Sequence, residues 1–193
     1  MNRRTVDPAH PDERAIKEVA EAISKGELAV YPTDTLYGLG GLATSFNVVS
    51  RVFQVKGRGA NKPLTVACDS IGMVAEYAEL SNDDAEFMKK HAIEPYTFIL
   101  RRRNNSLKDV ALGGQTVGFR IPAHPVAIAL VKAVKSPITA TSANKSGAPP
   151  TADPTQVDER VIRDVEWFLD AGRCPVGRPS TLVDMTEGRR ILR

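Results

Sequence analysis

The stretch "LAVYPTDTLYGLGG", residues 28–41, indicates how the chain is organised. Its first five residues are apolar and end at Pro32, which is typical of a short buried strand. The remainder is rich in threonine, aspartate and glycine, which favour turns. Because loops at the ends of buried strands often carry binding residues, we expect a functional loop here.

Helical and strand patterns lie on both sides of this stretch. Residues 12–26 place apolar side chains on one helical face and end at a glycine. Further helices are predicted at 46–54, 70–78, 81–91 and 125–134, and further strands at 64–68, 97–101, 116–122, 137–141, 165–170, 180–185 and 189–193. Since some strands are separated by helices and others are adjacent, we predict an α/β fold with a mixed parallel and antiparallel sheet and flanking helices.

Length and composition predict one domain over residues 1–193, with its core in 12–193. Lysine and arginine outnumber aspartate and glutamate by 26 to 23, and a net charge of +3 does not by itself argue for a nucleic-acid partner. Cys68 and Cys174 are far apart and the histidines are scattered, so we expect no zinc site. With no long apolar run, we expect a cytoplasmic protein that does not contact membranes.

The loop "KGRGANKP", residues 56–63, carries three cations, Lys56, Arg58 and Lys62. Arginine can fork onto a phosphate, lysine supplies a compact charge, and the glycines allow close approach of backbone amides. The loop therefore fits an anion, although a solvated basic turn explains it equally well. It lacks the spacing of a Walker phosphate-binding loop.

The loop "TATSANKSGAPP", residues 139–150, is rich in short donors and acceptors, with Ser142 and Asn144 near its centre. It suits a substrate site, and it also suits a turn whose hydroxyls only satisfy the backbone. Arg120 lies in the apolar run "VGFRIP" and either reaches a sheet edge or binds an anion. The run 101–103, three arginines, is a solvated strand end or an RNA contact.

No catalytic triad and no acid–base pair of carboxylates can be proposed from the sequence. The residues suit nucleotidyl transfer, in which cations and amides neutralise phosphate oxygens while a nucleophile is held in line. We expect no metal site built by the protein, since Mg²⁺ entering with ATP can be held by the phosphates and water.

Five segments in this order, "YPTDTLYGLG", "KGRGANKPL", "VGFRIP", "ATSANKSGAPP" and "STLVD", resemble the YrdC-type family of threonylcarbamoyl-AMP synthases, over residues 15–193. The resemblance implies a twisted mixed sheet around a positively charged cleft. It also implies an enzyme that joins L-threonine, bicarbonate and ATP into threonylcarbamoyl-AMP, releasing pyrophosphate. A separate transferase would then use the product to modify tRNA, and direct tRNA contact is a further expectation.

The resemblance also assigns roles to single positions. It implies a catalytic quartet of Lys56, Arg58, Ser142 and Asn144, which would grip the phosphates and the reacting carbamate. Further ATP contacts are implied at Lys62, Thr116 and Arg193, and threonine contacts at Thr35, Arg120, Ala140 and Ser180. The chain departs from the usual family pattern at Gly59, Lys62, Ala67, Ile93, Glu94 and Pro150.

Two other functions stay open. An RNA-binding or ribosome-assembly module would use the same basic loops without catalysis. A relative that adenylates carbamoyl phosphate for hydrogenase maturation is less favoured, because those larger proteins carry zinc-finger and acylphosphatase parts that this sequence does not contain.

Overall fold

The computed structural model describes residues 1–59 and 62–192. Its α-helices are α1 (Glu13–Ser24), α2 (Phe46–Lys56), α3 (Ile71–Tyr77), α4 (Asn82–Lys90), α5 (Pro125–Val134) and the short α6 (Glu159–Ile162). Helix α1 begins where the Asp12 carboxylate accepts hydrogen bonds from the amides of Arg14 and Ala15. The predictions for α1 to α5 are confirmed, with shifts of at most two residues at their ends.

The strands are β1 (Asn2–Thr5), β2 (Ala29–Tyr31), β3 (Gly38–Gly40), β4 (Thr65–Ala67), β5 (Tyr96–Arg101), β6 (Thr116–Arg120), β7 (Ile138–Thr139), β8 (Thr141–Ser142), β9 (Trp167–Asp170), β10 (Thr181–Asp184) and β11 (Arg190–Ile191). One sheet has the order β1-β9-β2-β3-β8, and the other has the order β11-β10-β5-β6-β4-β7. Both sheets contain parallel and antiparallel pairs. The predicted mixed α/β fold is confirmed, with its strands divided between two sheets.

The predicted single strand at 137–141 is wrong, because the chain changes sheets at Ala140. Thr139 pairs with Val66 in one sheet, whereas Thr141 pairs with Leu39 in the other. Between them, the Ala140 amide donates to the Thr65 carbonyl at 2.8 Å, and the Thr65 hydroxyl donates to the Ala140 carbonyl at 2.7 Å. These two bonds satisfy the backbone at the point where strand pairing is interrupted.

Strand β3 was not predicted, because its sequence "GLG" reads as a turn. Glycine weakens a strand unless another group must approach the backbone closely. Here that group is the buried ring of Tyr31, since a Cβ placed on Gly40 would lie 2.8 Å from Tyr31 Cε1. The glycines of β3 therefore make room for an aromatic ring on the neighbouring strand.

Strand β1 was also missed, because its residues, "NRRT", show no apolar alternation. It pairs in parallel with β9 at the edge of its sheet. Its two arginines cover aromatic rings instead: the guanidinium carbon of Arg3 lies 4.5 Å from the ring centroid of Phe168, and that of Arg4 lies 5.3 Å from the ring of Trp167. Charged residues are a common feature of edge strands.

Helices α1 and α5 pack against each other and bury their apolar faces in the core. The cysteines, Cys68 and Cys174, are both buried free thiols. In the part of the chain that the structure describes, no helix combines the length and apolar character needed to cross a membrane.

Candidate active site

A cleft of about 460 Å³ is lined by residues of both sheets, at the ends of the strands that carry the polar loops. The three loops predicted from the sequence, within 28–41, 56–63 and 139–150, contribute to it, and so does the segment with Pro179 and Ser180. Its lining comprises Tyr31, Thr33, Thr35, Leu36, Tyr37, Gly38, Arg58, Pro63, Thr65, Arg120, Ala140, Thr141, Ser142, Pro150, Pro179, Ser180 and Leu182.

The structure brings most of the predicted site residues together. Those that line the cleft are Thr35, Arg58, Arg120, Ala140, Ser142 and Ser180. Lys56, Lys62, Thr116 and Asn144 are not part of the lining, and Arg193 lies outside the described residues. Thr116 starts β6 and Arg120 ends it, so they lie at opposite ends of this strand.

Lys56 lies behind the cleft wall, and the residue is 2% exposed. Its Nζ donates to the carbonyl of Ser142 at 2.5 Å and to that of Asn144 at 2.9 Å. Its own carbonyl accepts the amide of Ser146 at 2.7 Å. One residue at the end of α2 thus holds the polar loop at three points. Burial, with a smaller effect of the Arg58 charge, lowers the pKa of Lys56 to about 8.

Asn144 braces the same loop from within. Its Nδ2 donates to the carbonyl of Lys145 at 2.9 Å and to that of Ala148 at 2.6 Å. Its Oδ1 is buried and has no hydrogen-bond partner within the described parts of the chain. In this geometry Asn144 shapes the loop, and its predicted contact with substrate stays a prediction.

Arg58 lines the cleft and is held by the loop that carries it. Its Nε donates to the carbonyl of Lys62 at 2.8 Å, and one Nη donates to that of Pro63 at 2.8 Å. Burial lowers the pKa of Arg58 from its ordinary value. Its hydrogen-bond partners among residues 1–59 and 62–192 are neutral carbonyls, so no described residue cancels its positive charge.

Arg120 is held in a different way. Its Nη2 donates to both carboxylate oxygens of Asp34, each at 2.7 Å, and both side chains are almost fully buried. The pair joins the end of β6 to the turn after β2. Of the two explanations that the sequence left open for Arg120, the structure supports binding to an anion, and that anion is a carboxylate of the protein.

Hydroxyl groups surround this end of the cleft. Thr33 Oγ1 lies 3.0 Å from Thr35 Oγ1 and donates to the carbonyl of Leu36 at 2.7 Å. Ser180 Oγ lies 2.8 Å from Thr97 Oγ1. Small hydroxyl side chains of this kind offer donors and acceptors while leaving space for a small ligand.

Sequence reasoning missed three partners of the site residues. Asp34 was noted only among the turn-favouring residues of 28–41, because its partner, Arg120, is 86 positions away. Thr65 and Thr97 were interpreted as ordinary strand residues. No local pattern indicates these contacts, because each depends on which strands become neighbours.

The lining contains two charged residues among those the structure describes, Arg58 and Arg120, and no carboxylate. Within residues 1–59 and 62–192, no group of three or more His, Cys, Asp or Glu could hold a metal ion. The cleft therefore suits anionic groups, and it offers no ligand set for Mg²⁺.

The comparison with family models decides the family. The model of Sua5, YciO and YrdC proteins, described as "Telomere recombination", matches residues 21–193. The chain belongs to the Sua5/YciO/YrdC family. The resemblance drawn from the five sequence segments is therefore confirmed.

Two relatives in the Sua5/YciO/YrdC family carry the name of one activity. A protein of Pyrococcus abyssi named threonylcarbamoyl-AMP synthase is 34% identical over 182 residues, which cover 94% of this chain and 54% of the relative. A putative threonylcarbamoyl-AMP synthase of Mycobacterium tuberculosis is 34% identical, and the match covers 98% of this chain and 88% of the relative. The chain thus spans about half the length of the Pyrococcus protein.

Solved structures of family members show the same fold. Sua5 of P. abyssi complexed with L-threonine superposes with a TM-score of 0.94 at 32% identity, covering 100% of this chain and 57% of that chain. YciO of Escherichia coli superposes with a TM-score of 0.89 at 26% identity, covering 100% of this chain and 94% of that chain. The fold of this chain is therefore shared by proteins with and without additional segments.

Proposed function

We propose that this protein is a nucleotidyltransferase that makes L-threonylcarbamoyl-AMP from L-threonine, bicarbonate and ATP. The observation that carries the proposal is the convergence of Thr35, Arg58, Arg120, Ser142 and Ser180 on one cleft. The named relatives and the L-threonine complex of a family member support the same reaction.

The reaction needs two steps. The amine of threonine attacks the carbon of bicarbonate, water leaves, and a carbamate forms. A carbamate oxygen then attacks the α-phosphorus of ATP, and the bond from that phosphorus to the bridging oxygen of the β-phosphate breaks, so that pyrophosphate leaves. Catalysis of this kind depends on positioning and on neutralising phosphate charge, rather than on an acid–base pair.

The residues divide between the two substrates. Arg58, whose charge is not cancelled, and the hydroxyl of Ser142 would bind phosphate oxygens. Arg120 would bind the carboxylate of threonine, with Thr35 and Ser180 beside it. Mg²⁺ would enter with ATP and be held by its phosphates and by water. The product would pass to a separate transferase that acts on tRNA.

The RNA-binding alternative gains no support from the arrangement of charges. Arg101 pairs with Thr116, at the opposite end of β6 from Arg120. At about 3.3 Å per residue, four residues of strand separate the two ends by about 13 Å. The arginine run 101–103 therefore does not extend the basic lining of the cleft.

The proposal is tested by incubating the chain with ATP, Mg²⁺, bicarbonate and L-threonine and measuring pyrophosphate. We expect pyrophosphate release that requires both threonine and bicarbonate, together with a product of the mass of threonylcarbamoyl-AMP. Reactions without threonine, or with L-valine in its place, are the controls. Release that does not depend on threonine, or no release, would contradict the proposal.

A further inference from the structure

Asp34 binds Arg120, the arginine that would bind the carboxylate of the amino acid in the proposed reaction. Asp34 and Arg120 are 5% and 7% exposed, so the ion pair lies away from bulk solvent. Both Asp34 oxygens bind the same nitrogen, Nη2. Within residues 1–59 and 62–192, no protein acceptor is bonded to Nε or Nη1 of Arg120.

The guanidinium group of arginine is planar, and its N–H donors form a rigid fork. Fixing one nitrogen therefore fixes the direction of all the others. Since Arg120 lines the cleft and Asp34 takes only Nη2, the N–H groups of Nε and Nη1 remain as donors for a second carboxylate in the cleft. A ligand with a planar carboxylate matches this arrangement.

Asp34 is itself held in place without any ligand. Its carbonyl accepts the amide of Val176 at 2.9 Å, and the carbonyl of Thr35 accepts that of Gly177 at 3.1 Å. The Thr33 hydroxyl binds the same turn through the amides of Thr35 and Leu36. The turn is thus fixed from both sides, which makes Asp34 a rigid support for the arginine.

We propose that Asp34 is a positioning residue that orients Arg120 towards the α-carboxylate of the amino-acid substrate and thereby selects for a free carboxylate. The inference rests on the proposed function, because it takes the ligand of Arg120 to be threonine. Asp34 does not touch the substrate and takes no part in proton transfer. Its effect is on the affinity for the amino acid.

The test compares Asp34→Asn with Asp34→Glu by steady-state kinetics and by calorimetric titration of L-threonine without ATP. For Asp34→Asn we expect the KM and Kd for threonine to rise by about tenfold or more, while the KM for ATP stays within about twofold and kcat at saturating threonine within about threefold. Asp34→Glu, which keeps the carboxylate, should recover part of the lost affinity. Glu18→Gln, which breaks an exposed pair with Arg4, is the control and should change neither constant.

A mutant cycle separates positioning from a general loss of structure. Arg120→Lys keeps the charge and loses the fork, so we expect it to bind threonine weakly and to discriminate poorly between L-threonine and L-threoninamide. Asp34→Asn should reduce the same discrimination in wild-type background and have little further effect on Arg120→Lys. Additive effects of the two changes would contradict the proposal.

Other outcomes also test whether Asp34 positions Arg120. An unchanged threonine KM in a folded Asp34→Asn variant would overturn the proposal, and so would a lowered KM, which would mean that Asp34 competes with the substrate. If the variants do not fold, the ¹⁵N spectrum of the arginine side chains in the wild-type chain replaces them. There, threonine should shift the Nε signal of Arg120, and the absence of a shift would overturn the proposal.

The proposed function and the role of Asp34 can be tested separately. A wild-type chain that binds L-threonine and releases no pyrophosphate would contradict the synthase proposal, while the calorimetric comparison would still decide the role of Asp34. A wild-type chain that does not bind L-threonine would overturn the role given to Asp34.

Discussion

The two ends of the cleft hold their cations differently. At one end, Arg58 in the lining and Lys56 behind the cleft wall are held by backbone carbonyls, which are neutral. At the other end, Arg120 is held by the carboxylate of Asp34. Asp158, a carboxylate whose charge acts to raise the pKa of Lys56, is itself paired with Arg160 at 2.8 Å. Among the described residues, positive charge therefore remains at the first end and is cancelled at the second.

This difference fits two ligands of different charge. A polyphosphate carries several negative charges and is attracted to an end with uncancelled cations. A free amino acid has no net charge, so it needs donors in fixed directions more than it needs net charge. Under the proposed function, the contrast would let one small cleft keep its two substrates in separate places. The following predictions are designed to break this contrast or to make it sharper.

The largest effect is expected from exchanging Arg120 for methionine. Arg120→Met leaves Asp34 as a buried carboxylate without its partner, and we expect a loss of about 3–5 kcal/mol of unfolding free energy. Arg58→Met leaves only neutral carbonyls behind, so its stability should change by less than about 1 kcal/mol. Urea unfolding of the two variants measures the difference.

The same two variants, Arg58→Met and Arg120→Met, should also differ in their activity. We expect Arg58→Met to lower kcat/KM for ATP by at least about tenfold, because it removes a charge from the phosphate end, while L-threonine affinity is retained. Equal stability losses in the two variants, or an Arg58→Met variant with wild-type turnover, would show that the two ends do not differ as described.

An intermediate effect is expected from Lys56→Met, which removes the donor shared by the carbonyls of Ser142 and Asn144. Amide hydrogen exchange in residues 142–148 should become faster by about tenfold, while exchange in α5 stays unchanged. Faster exchange throughout the chain would indicate global destabilisation instead of release of this loop.

Lys56 also predicts a dependence of stability on pH. Its pKa in the folded chain, about 8, is below its ordinary value of 10.5, so between these values the unfolded chain binds more protons. The stabilisation that Lys56 contributes should therefore increase as the pH rises from about 8 towards about 10.5. Unfolding free energies of wild type and Lys56→Met at about pH 7.5 and about pH 9.5 test this, and a difference that is constant or shrinks would contradict it.

The smallest effect is expected from Thr65→Val, which keeps the shape of the side chain and removes the hydroxyl that donates to Ala140. One hydrogen bond of this kind contributes about 0.5–1.5 kcal/mol, so the loss of stability should lie in that range. Thr5→Val, at an exposed position of β1, is the matched control. If both variants unfold at the same urea concentration, the Thr65 hydroxyl does not hold the crossing between the sheets.

The sequence predicts the regular helices well because their signals are local. Helix α5 begins with a proline and continues as an apolar run, and its observed bounds are those predicted. Strand β3 could not be predicted from a local signal. Its glycines are explained by the ring of Tyr31, which packs closely against them in the folded chain. The crossing at Ala140 could not be predicted either, since the sequence does not state which strands become its neighbours.

The candidate site shows the same limit. The loops with cations and small polar residues could be recognised, and they meet at one cleft. The sequence could not show which group each side chain contacts. Lys56 was expected to face phosphates, yet its ammonium group faces two carbonyls, and the Asp34–Arg120 pair joins segments that are distant in sequence.

One short segment, residues 139–141, pairs with both sheets. This double pairing restricts insertions and deletions in the gene at that point. Thr139 and Thr141 are registered against different partners, with one residue between them. An inserted or deleted residue here would shift the pairing in one sheet or the other and turn its side chains to the opposite face. Insertions should therefore be tolerated in the exposed bend at residues 103–104, but not between 139 and 141.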